Sequence, residues 1–76
     1  MGQSVVVVGA GGVGLSVIQG AKLLSAHPII GVDLFENRVQ LAMKLGASNG
    51  IVNRDSSWVS QVRELVGAQG ADLVVD

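Results

Sequence analysis

The sequence contains no cysteine, a single histidine and few charged side chains. The lack of cysteine excludes a disulfide framework, a thiolate zinc site and a cysteine nucleophile. Charged residues make up 14% of the chain, and five basic against six acidic side chains leave a net charge of −1. This balance gives no support for binding to nucleic acid or to a membrane surface.

Long apolar runs and targeting signals are also missing. The longest apolar run, Val5–Val8, is far too short to span a membrane. The opening residues 1–4 carry no basic segment followed by an apolar core, so we expect no signal peptide and a cytoplasmic protein. A chain of 76 residues allows one small domain at most.

The first fourteen residues predict a strand followed by a tight glycine turn. Four consecutive valines, Val5–Val8, indicate a strand buried on both faces of a sheet, because only such strands are apolar without alternation. Gly9, Gly11 and Gly14 then match the G-x-G-x-x-G spacing of a dinucleotide-binding turn. In that motif the first glycine allows a sharp turn, the second lets the backbone approach a pyrophosphate, and the third lets the helix pack on the strand.

A helix is predicted after this turn, from Leu15 to Ser25. Its apolar residues recur at spacings of three and four, in a stripe made of Val13, Val17, Ala21 and Leu24. The amides around Gly12 and Val13 have no acceptor within the helix and lie at the positive end of its dipole. They are therefore suited to binding an anion.

Strand and helix patterns alternate along the rest of the chain. The pattern predicts a strand at Ile29–Asp33, a helix at Phe35–Leu45 ended by Gly46, a turn at residues 48–50 and a strand at Ile51–Val52. A third helix follows, ended by Gly67, with the N-cap candidates Asp55, Ser56 and Ser57 and an apolar stripe made of Val59, Val62, Leu65 and Val66. The last predicted element is a strand at Asp72–Asp76. This alternation implies right-handed crossovers. We therefore predict an α/β fold, half of a doubly wound Rossmann fold: a parallel sheet of about four strands in the order 3-2-1-4, with about three helices.

An acidic residue ends the second predicted strand. Asp33 lies nineteen residues after Gly14, close to the separation of about 20 expected for an acid that binds the cofactor's ribose. A carboxylate there repels a 2′-phosphate, which favours NAD(H) over NADP(H). In a purely structural interpretation Asp33 only caps the second helix. Arg38, five residues after Asp33, has two functional interpretations: it donates to the ribose, or it is a cation beside the adenine. In the structural interpretation it is a solvated residue paired with Glu36 or Asp33.

Several motifs occur together along nearly the whole chain, namely Gly9-Ala10-Gly11-Gly12-Val13-Gly14, Ala21-Lys22, Gly31-Val32-Asp33, Arg38, Leu45-Gly46-Ala47 and Gly70-Ala71-Asp72. Together they resemble the coenzyme domain of medium-chain, zinc-type alcohol dehydrogenases. The resemblance implies that Gly12 and Val13 meet the pyrophosphate of NAD. It also implies that Asp33 and Arg38 meet the adenosine ribose, and that Leu34 lines the adenine side.

The resemblance also implies chemistry that these residues do not supply. The family's catalytic zinc is held by cysteine and histidine of another domain, so we assign no catalytic residue and no metal ligand, and zinc belongs to the parent enzyme only. We expect residues 1–76 to be a single partial dinucleotide-binding domain, without the catalytic domain or the second Rossmann half, that binds NAD or an ADP-ribose-like ligand. The family often has glycine where this chain has Ser25, so we expect the end of the first helix to be strained.

Other functions remain open at this point. A non-catalytic nucleotide-sensing module would carry the same glycine turn and acid. A methyltransferase ranks lower, because the residue two before Gly9 is Val7 rather than an acid. A third alternative is an excised folding or assembly fragment that self-associates into a homo-oligomer through an exposed fourth-strand edge.

Three further side chains receive no functional role. We expect His27 to be a solvated loop residue and Trp58 to be a partly buried packing residue. Asp76 belongs to the rim where ligands bind in α/β folds. As a terminal residue it is expected to be disordered or displaced from that rim.

Overall fold

A computed structural model of the protein describes residues 3–9, 11–67 and 70–76. The elements are β1 (Val5–Val8), α1 (Gly12–Leu23), β2 (Ile29–Asp33), α2 (Glu36–Leu45), β3 (Asn49–Val52), α3 (Ser57–Val66) and β4 (Leu73–Val75). The strands of this described part are parallel and lie in the order β3-β2-β1-β4. The predicted fold class and strand order are therefore confirmed. Ala10, within the glycine turn, lies outside the described residues.

Strand β1 lies inside the sheet and buries side chains on both of its faces. Val5 and Val7 join the cluster formed with α1 and α2, whose other buried members are Ile18, Ala21, Ile29, Ala42 and Ala47. Val6 joins a second cluster, with Ile30, Val32 and Ile51, against which Trp58, Val62 and Val66 of α3 pack. This two-sided burial explains why β1 is apolar without alternation.

Helix α1 begins earlier than predicted and buries a different stripe. Its buried residues are Gly14, Ile18 and Ala21. The predicted stripe was wrong at both of its ends, because Val13 is 78% exposed and Leu24 is 83% exposed. The buried residues of α1 start at Gly14. Because glycine has no side chain, a search for apolar residues at helical spacing does not find this position.

The other two predicted stripes hold only in part. In α2, Val39 and Ala42 are buried as predicted, but Met43 is exposed. In α3 no residue is fully buried, and Val59 and Leu65 are exposed. Helix α3 packs on the second cluster through Trp58, Val62 and Val66, and this contact leaves Val59 and Leu65 at the surface.

Strand β3 also begins earlier than predicted. Asn49 and Gly50 belong to the strand rather than to a turn. A Cβ atom on Gly50 would meet Cγ1 of Val39 and would lie 3.3 Å from Cγ of Met43. Glycine is needed here because α2 lies close on the sheet, not because the chain turns.

The helix ends follow the sequence. Gly46 and Gly67 follow α2 and α3 with φ angles of 138° and 86°, so both predicted glycine stops are confirmed. After α1 the corresponding positive φ, 61°, belongs to Ser25. This is the strained helix end that the sequence predicted, since a Cβ atom disfavours the left-handed region.

Substitution of Ser25 by glycine is expected to stabilise the fold by roughly 0.5–1 kcal/mol, because relief of the left-handed strain outweighs the greater freedom of glycine in the unfolded chain. The midpoint of urea denaturation measures the change. Ser60→Gly is the matched control: it places glycine inside α3 and should destabilise the fold by roughly 0.5–1 kcal/mol. An unchanged or lower midpoint for Ser25→Gly contradicts the prediction.

Strand β4 is attached to the start of β1 by hydrogen bonds of Ser4 and Asp72. The Ser4 amide donates to Oδ2 of Asp72 at 2.8 Å, and the Asp72 amide donates to Oγ of Ser4 at 3.0 Å. The Leu73 amide then donates to the Ser4 carbonyl at 3.1 Å. These bonds fix the register in which Val5 pairs with Leu73.

Candidate functional site

A cleft of about 260 Å³ lies at the carboxyl ends of the strands. Its lining residues are Val8, Gly9, Val32, Asp33, Leu34, Phe35, Arg38, Asn53 and Asp76. Ligands of open α/β sheets bind at this edge. The cleft therefore brings together four residues that the sequence singled out, namely Gly9, Asp33, Leu34 and Arg38.

The turn after β1 uses two of its glycines for backbone geometry. Gly9 has a φ of 89°, and its amide donates to the Val32 carbonyl at 2.7 Å. A Cβ atom on Gly14 would lie 2.5 Å from the carbonyl oxygen of Gly9 and 3.0 Å from Cγ1 of Val7. Glycine at position 14 thus lets α1 lie directly against the end of β1, as the motif predicted.

The start of α1 is open. Gly11 is the N-cap residue, and a Cβ atom on it or on Gly12 would meet no atom of the described residues within 4 Å. The Leu15 amide makes the first helical hydrogen bond, to the Gly11 carbonyl at 2.8 Å. The preceding amides, which include those of Gly12 and Val13, have no helical acceptor, and the first turn carries no acidic side chain. This end of the helix can receive an anion.

Asp33 connects the cleft to the start of α2. It is only 6% exposed, and its Oδ1 accepts a hydrogen bond from the Phe35 amide at 3.0 Å. Asp33 thus closes a turn just before α2 through the amide of the N-cap residue Phe35, and no side-chain hydrogen bond caps the helix itself. Its place in the cleft lining is compatible with a ligand role as well, because a carboxylate accepts several hydrogen bonds.

A second aspartate has the same local geometry outside the cleft. Oδ1 of Asp55 accepts a hydrogen bond from the Ser57 amide at 2.8 Å, at the start of α3. Hydrogen bonds from the side chain and backbone of Ser57 lower the pKa of Asp55. Asp55 is thus an internal reference for the turn that Asp33 forms with the amide two residues ahead.

Phe35 and Asn53 line the cleft although the sequence did not single them out. The guanidinium carbon of Arg38 lies 5.3 Å from the centroid of the Phe35 ring, within the range of a cation–π interaction. The Asn53 amide donates to the Asp33 carbonyl at 2.8 Å. One signal was available for Phe35: it stands three residues before Arg38, a spacing that brings side chains together on a helix.

The structure also places His27, Trp58 and Asp76, the three side chains to which the sequence assigned no functional role. His27 is an exposed loop residue, and Trp58 is partly buried against the second cluster, as predicted. Asp76 is not displaced from the rim, as one of the two expectations had it, because this residue lines the cleft. Its position follows from the pairing of β4 with β1, which carries the chain to the same edge of the sheet.

Metal ligands do not cluster in the described part of the chain. No group of three or more histidine, cysteine, aspartate or glutamate residues there could hold a metal ion. The described residues therefore do not fit a zinc site, and we derive no chemical step through zinc. In the same part of the chain, no helix combines the length and apolar character needed to cross a membrane.

Comparison with known proteins gives one consistent result. A family model described as zinc-binding dehydrogenase matches residues 12–76. The NAD-dependent alcohol dehydrogenase of Sulfurisphaera tokodaii is 40% identical over 75 residues, which cover 97% of this chain and 22% of that protein. The NADP-dependent isopropanol dehydrogenase of Clostridium beijerinckii is 43% identical over 75 residues, which cover 99% of this chain and 21% of that protein.

Solved structures agree with the sequence relatives. The alcohol dehydrogenase zinc-binding domain protein from Burkholderia ambifaria superposes with a TM-score of 0.90 at 36% identity. The match covers 97% of this chain and 20% of that structure. The chain thus spans about one fifth of the length of the relatives that it matches.

Proposed function

The chain belongs to the zinc-binding dehydrogenase family, and from this premise we propose that it binds the adenosine–pyrophosphate half of NAD(H). The observation that carries the proposal is the cleft that Gly9 and Asp33 line at the ends of the neighbouring strands β1 and β2. For the whole protein we propose hydride transfer between an alcohol carbon and the nicotinamide ring, which is the chemistry that the bound cofactor supplies.

The pyrophosphate is assigned to the start of α1. The amides of Gly12 and Val13 donate to its oxygens, and the absence of a side chain on Gly11 lets the backbone come close. The positive end of the helix dipole favours the negative charge of the pyrophosphate. This assignment is supported by the open space around both glycines.

The adenosine is assigned to the cleft. Asp33 accepts hydrogen bonds from the ribose hydroxyls, Arg38 donates to the ribose, and Leu34 covers the adenine side. The carboxylate of Asp33 repels a 2′-phosphate, so we propose that NAD(H) is preferred over NADP(H). The relatives include one protein named for each cofactor, so this preference needs its own measurement.

Residues 1–76 act, in this proposal, as a single partial dinucleotide-binding domain. The groups that bind the alcohol and the nicotinamide are supplied by protein outside these residues. We therefore expect weak binding of NAD by the 76-residue chain, because only half of the cofactor is held. Catalysis of alcohol oxidation by this chain alone is not expected.

Titration calorimetry or saturation-transfer NMR with the 76-residue chain tests the proposal. NAD and ADP-ribose should bind with similar affinity, because the contacts lie on the half that they share. NADP should bind more weakly, and nicotinamide mononucleotide should not bind. The proposal is wrong if the folded chain binds neither NAD nor ADP-ribose at millimolar concentration, and equal binding of NADP contradicts the cofactor preference alone.

A second property is favoured by the exposed strand β4. This strand forms an edge of the described sheet, and its side chain Val74 is 61% exposed. Apolar clefts of about 410 Å³ and 240 Å³ border Leu73 and Val74, respectively. Exposed edges and apolar surface favour association, so we propose that two copies of this chain pair through β4.

Sedimentation velocity over a range of protein concentrations tests this pairing. Val74→Lys should give a monomer, because a lysine on an edge strand opposes strand addition. Leu41→Lys, on the exposed side of α2, is the matched control and should leave the dimer intact. A wild-type chain that remains monomeric at high concentration refutes the proposed pairing.

A further inference from the structure

Phe35 contacts both charged residues of the cleft, Asp33 and Arg38. Its amide donates to Oδ1 of Asp33 at 3.0 Å, and its carbonyl accepts a hydrogen bond from the Arg38 amide at 3.1 Å. Its ring lies beneath the guanidinium of Arg38, 5.3 Å from ring centroid to guanidinium carbon. The three residues thus form one connected unit on one side of the cleft.

The ring of Phe35 contributes little to the core. It is 56% exposed and belongs to neither buried cluster of the described residues. Its backbone already serves as the N-cap residue of α2, a role that does not require a phenyl side chain. The ring itself contacts the guanidinium of Arg38.

We propose that Phe35 is a positioning residue that holds the Arg38 guanidinium at the edge of the cleft and thereby strengthens binding of the adenosine ribose. This inference rests on the proposed function. A free arginine side chain samples many rotamers, and a ligand that uses it must order it. The Phe35 ring restricts the rotamers of Arg38 before the ligand binds. The arginine side chain therefore loses less conformational entropy on binding.

A double-mutant cycle with the 76-residue chain tests the inference, with the dissociation constant of NAD as the measured quantity. Phe35→Leu removes the ring and keeps an apolar side chain, and it should weaken binding by roughly 2- to 5-fold, the range of an exposed cation–π contact. Phe35→Tyr retains the ring face and should bind like wild type. In an Arg38→Gln background, Phe35→Leu should cause no further loss, because the ring acts through the arginine.

NMR of the ligand-free chain gives a second readout. The Hδ and Hε protons of Arg38 should be shifted upfield by the ring current in wild type and in Phe35→Tyr, and this shift should vanish in Phe35→Leu. Leu41→Ala, on the same helix but outside the cleft, should change neither the shift nor NAD binding. An absent shift in wild type overturns the inference.

The remaining outcomes separate this inference from the proposed function. If wild type binds NAD and Phe35→Leu binds it equally well, only the role of Phe35 is refuted. An equal loss in the wild-type and Arg38→Gln backgrounds also refutes it, because the ring then contacts the ligand directly. If wild type shows the ring-current shift but binds no NAD, the proposed function fails and the inference fails with it.

Discussion

Replacement of Gly14 by alanine is expected to lower the free energy of unfolding by about 2–3 kcal/mol. The added Cβ atom would lie 2.5 Å from the Gly9 carbonyl oxygen, and this oxygen cannot retreat without moving the end of β1. A domain of this size has only a few kcal/mol of stability. Urea denaturation followed by far-UV circular dichroism measures the loss.

Gly20→Ala is the matched control on the same helix. A Cβ atom at position 20 would meet no atom of the described residues within 4 Å. Alanine is the better helix former, so this variant should be more stable than wild type by roughly 0.5–1 kcal/mol. Equal denaturation midpoints for Gly14→Ala and Gly20→Ala would mean that Gly14 does not hold α1 against β1.

Asp33→Asn is expected to weaken NAD binding by about 10- to 100-fold, because hydrogen bonds to a charged group are worth about 1.5–3 kcal/mol. Asparagine keeps a carbonyl oxygen that can accept the hydrogen bond from the Phe35 amide, so the start of α2 should be retained. Removal of the negative charge also removes the repulsion of a 2′-phosphate. The affinity for NADP relative to NAD should therefore rise in the same titration.

Asp55→Asn separates the ligand role of Asp33 from its hydrogen bond with the amide two residues ahead. Asp55 makes the same type of hydrogen bond, to the amide two residues ahead, but it does not line the cleft. Its substitution should leave the affinity for NAD unchanged. A dissociation constant for Asp33→Asn that equals that of Asp55→Asn would show that Asp33 serves α2 and not the cofactor.

The sequence predicted those parts of the fold that depend on local chemistry. The four valines of β1 could be identified because burial on both faces requires apolar side chains, and Asp33 because of its spacing after Gly14. The strain at Ser25 was expected from the family resemblance, because a side chain occupies a helix end where the family often has glycine, and its φ of 61° lies in the left-handed region. The parallel sheet followed from the alternation of elements, and the strand order from the dinucleotide-binding motif.

The features that were missed depend on contacts between distant segments. The buried row of α1 starts at a glycine, so hydrophobic periodicity selected the wrong residues at both ends of the stripe. Gly50 resembles a turn residue, yet it sits in β3 because α2 packs over it. Phe35 resembles an ordinary apolar residue at a helix start, and the position of Arg38 over its ring is visible only in the structure.

The hydrogen bonds between Ser4 and Asp72 have a consequence for the order of folding. They join residues 68 positions apart in the chain, whereas β1 meets β2 across a much shorter separation. Loop-closure entropy rises with chain length, by about 0.6 kcal/mol for each doubling, so β4 is expected to dock after β1 and β2 have paired. Native-state hydrogen exchange should then find the Leu73 amide less protected than the amides of β2. Because Asp76 follows β4, the cleft gains its last wall only in this final step.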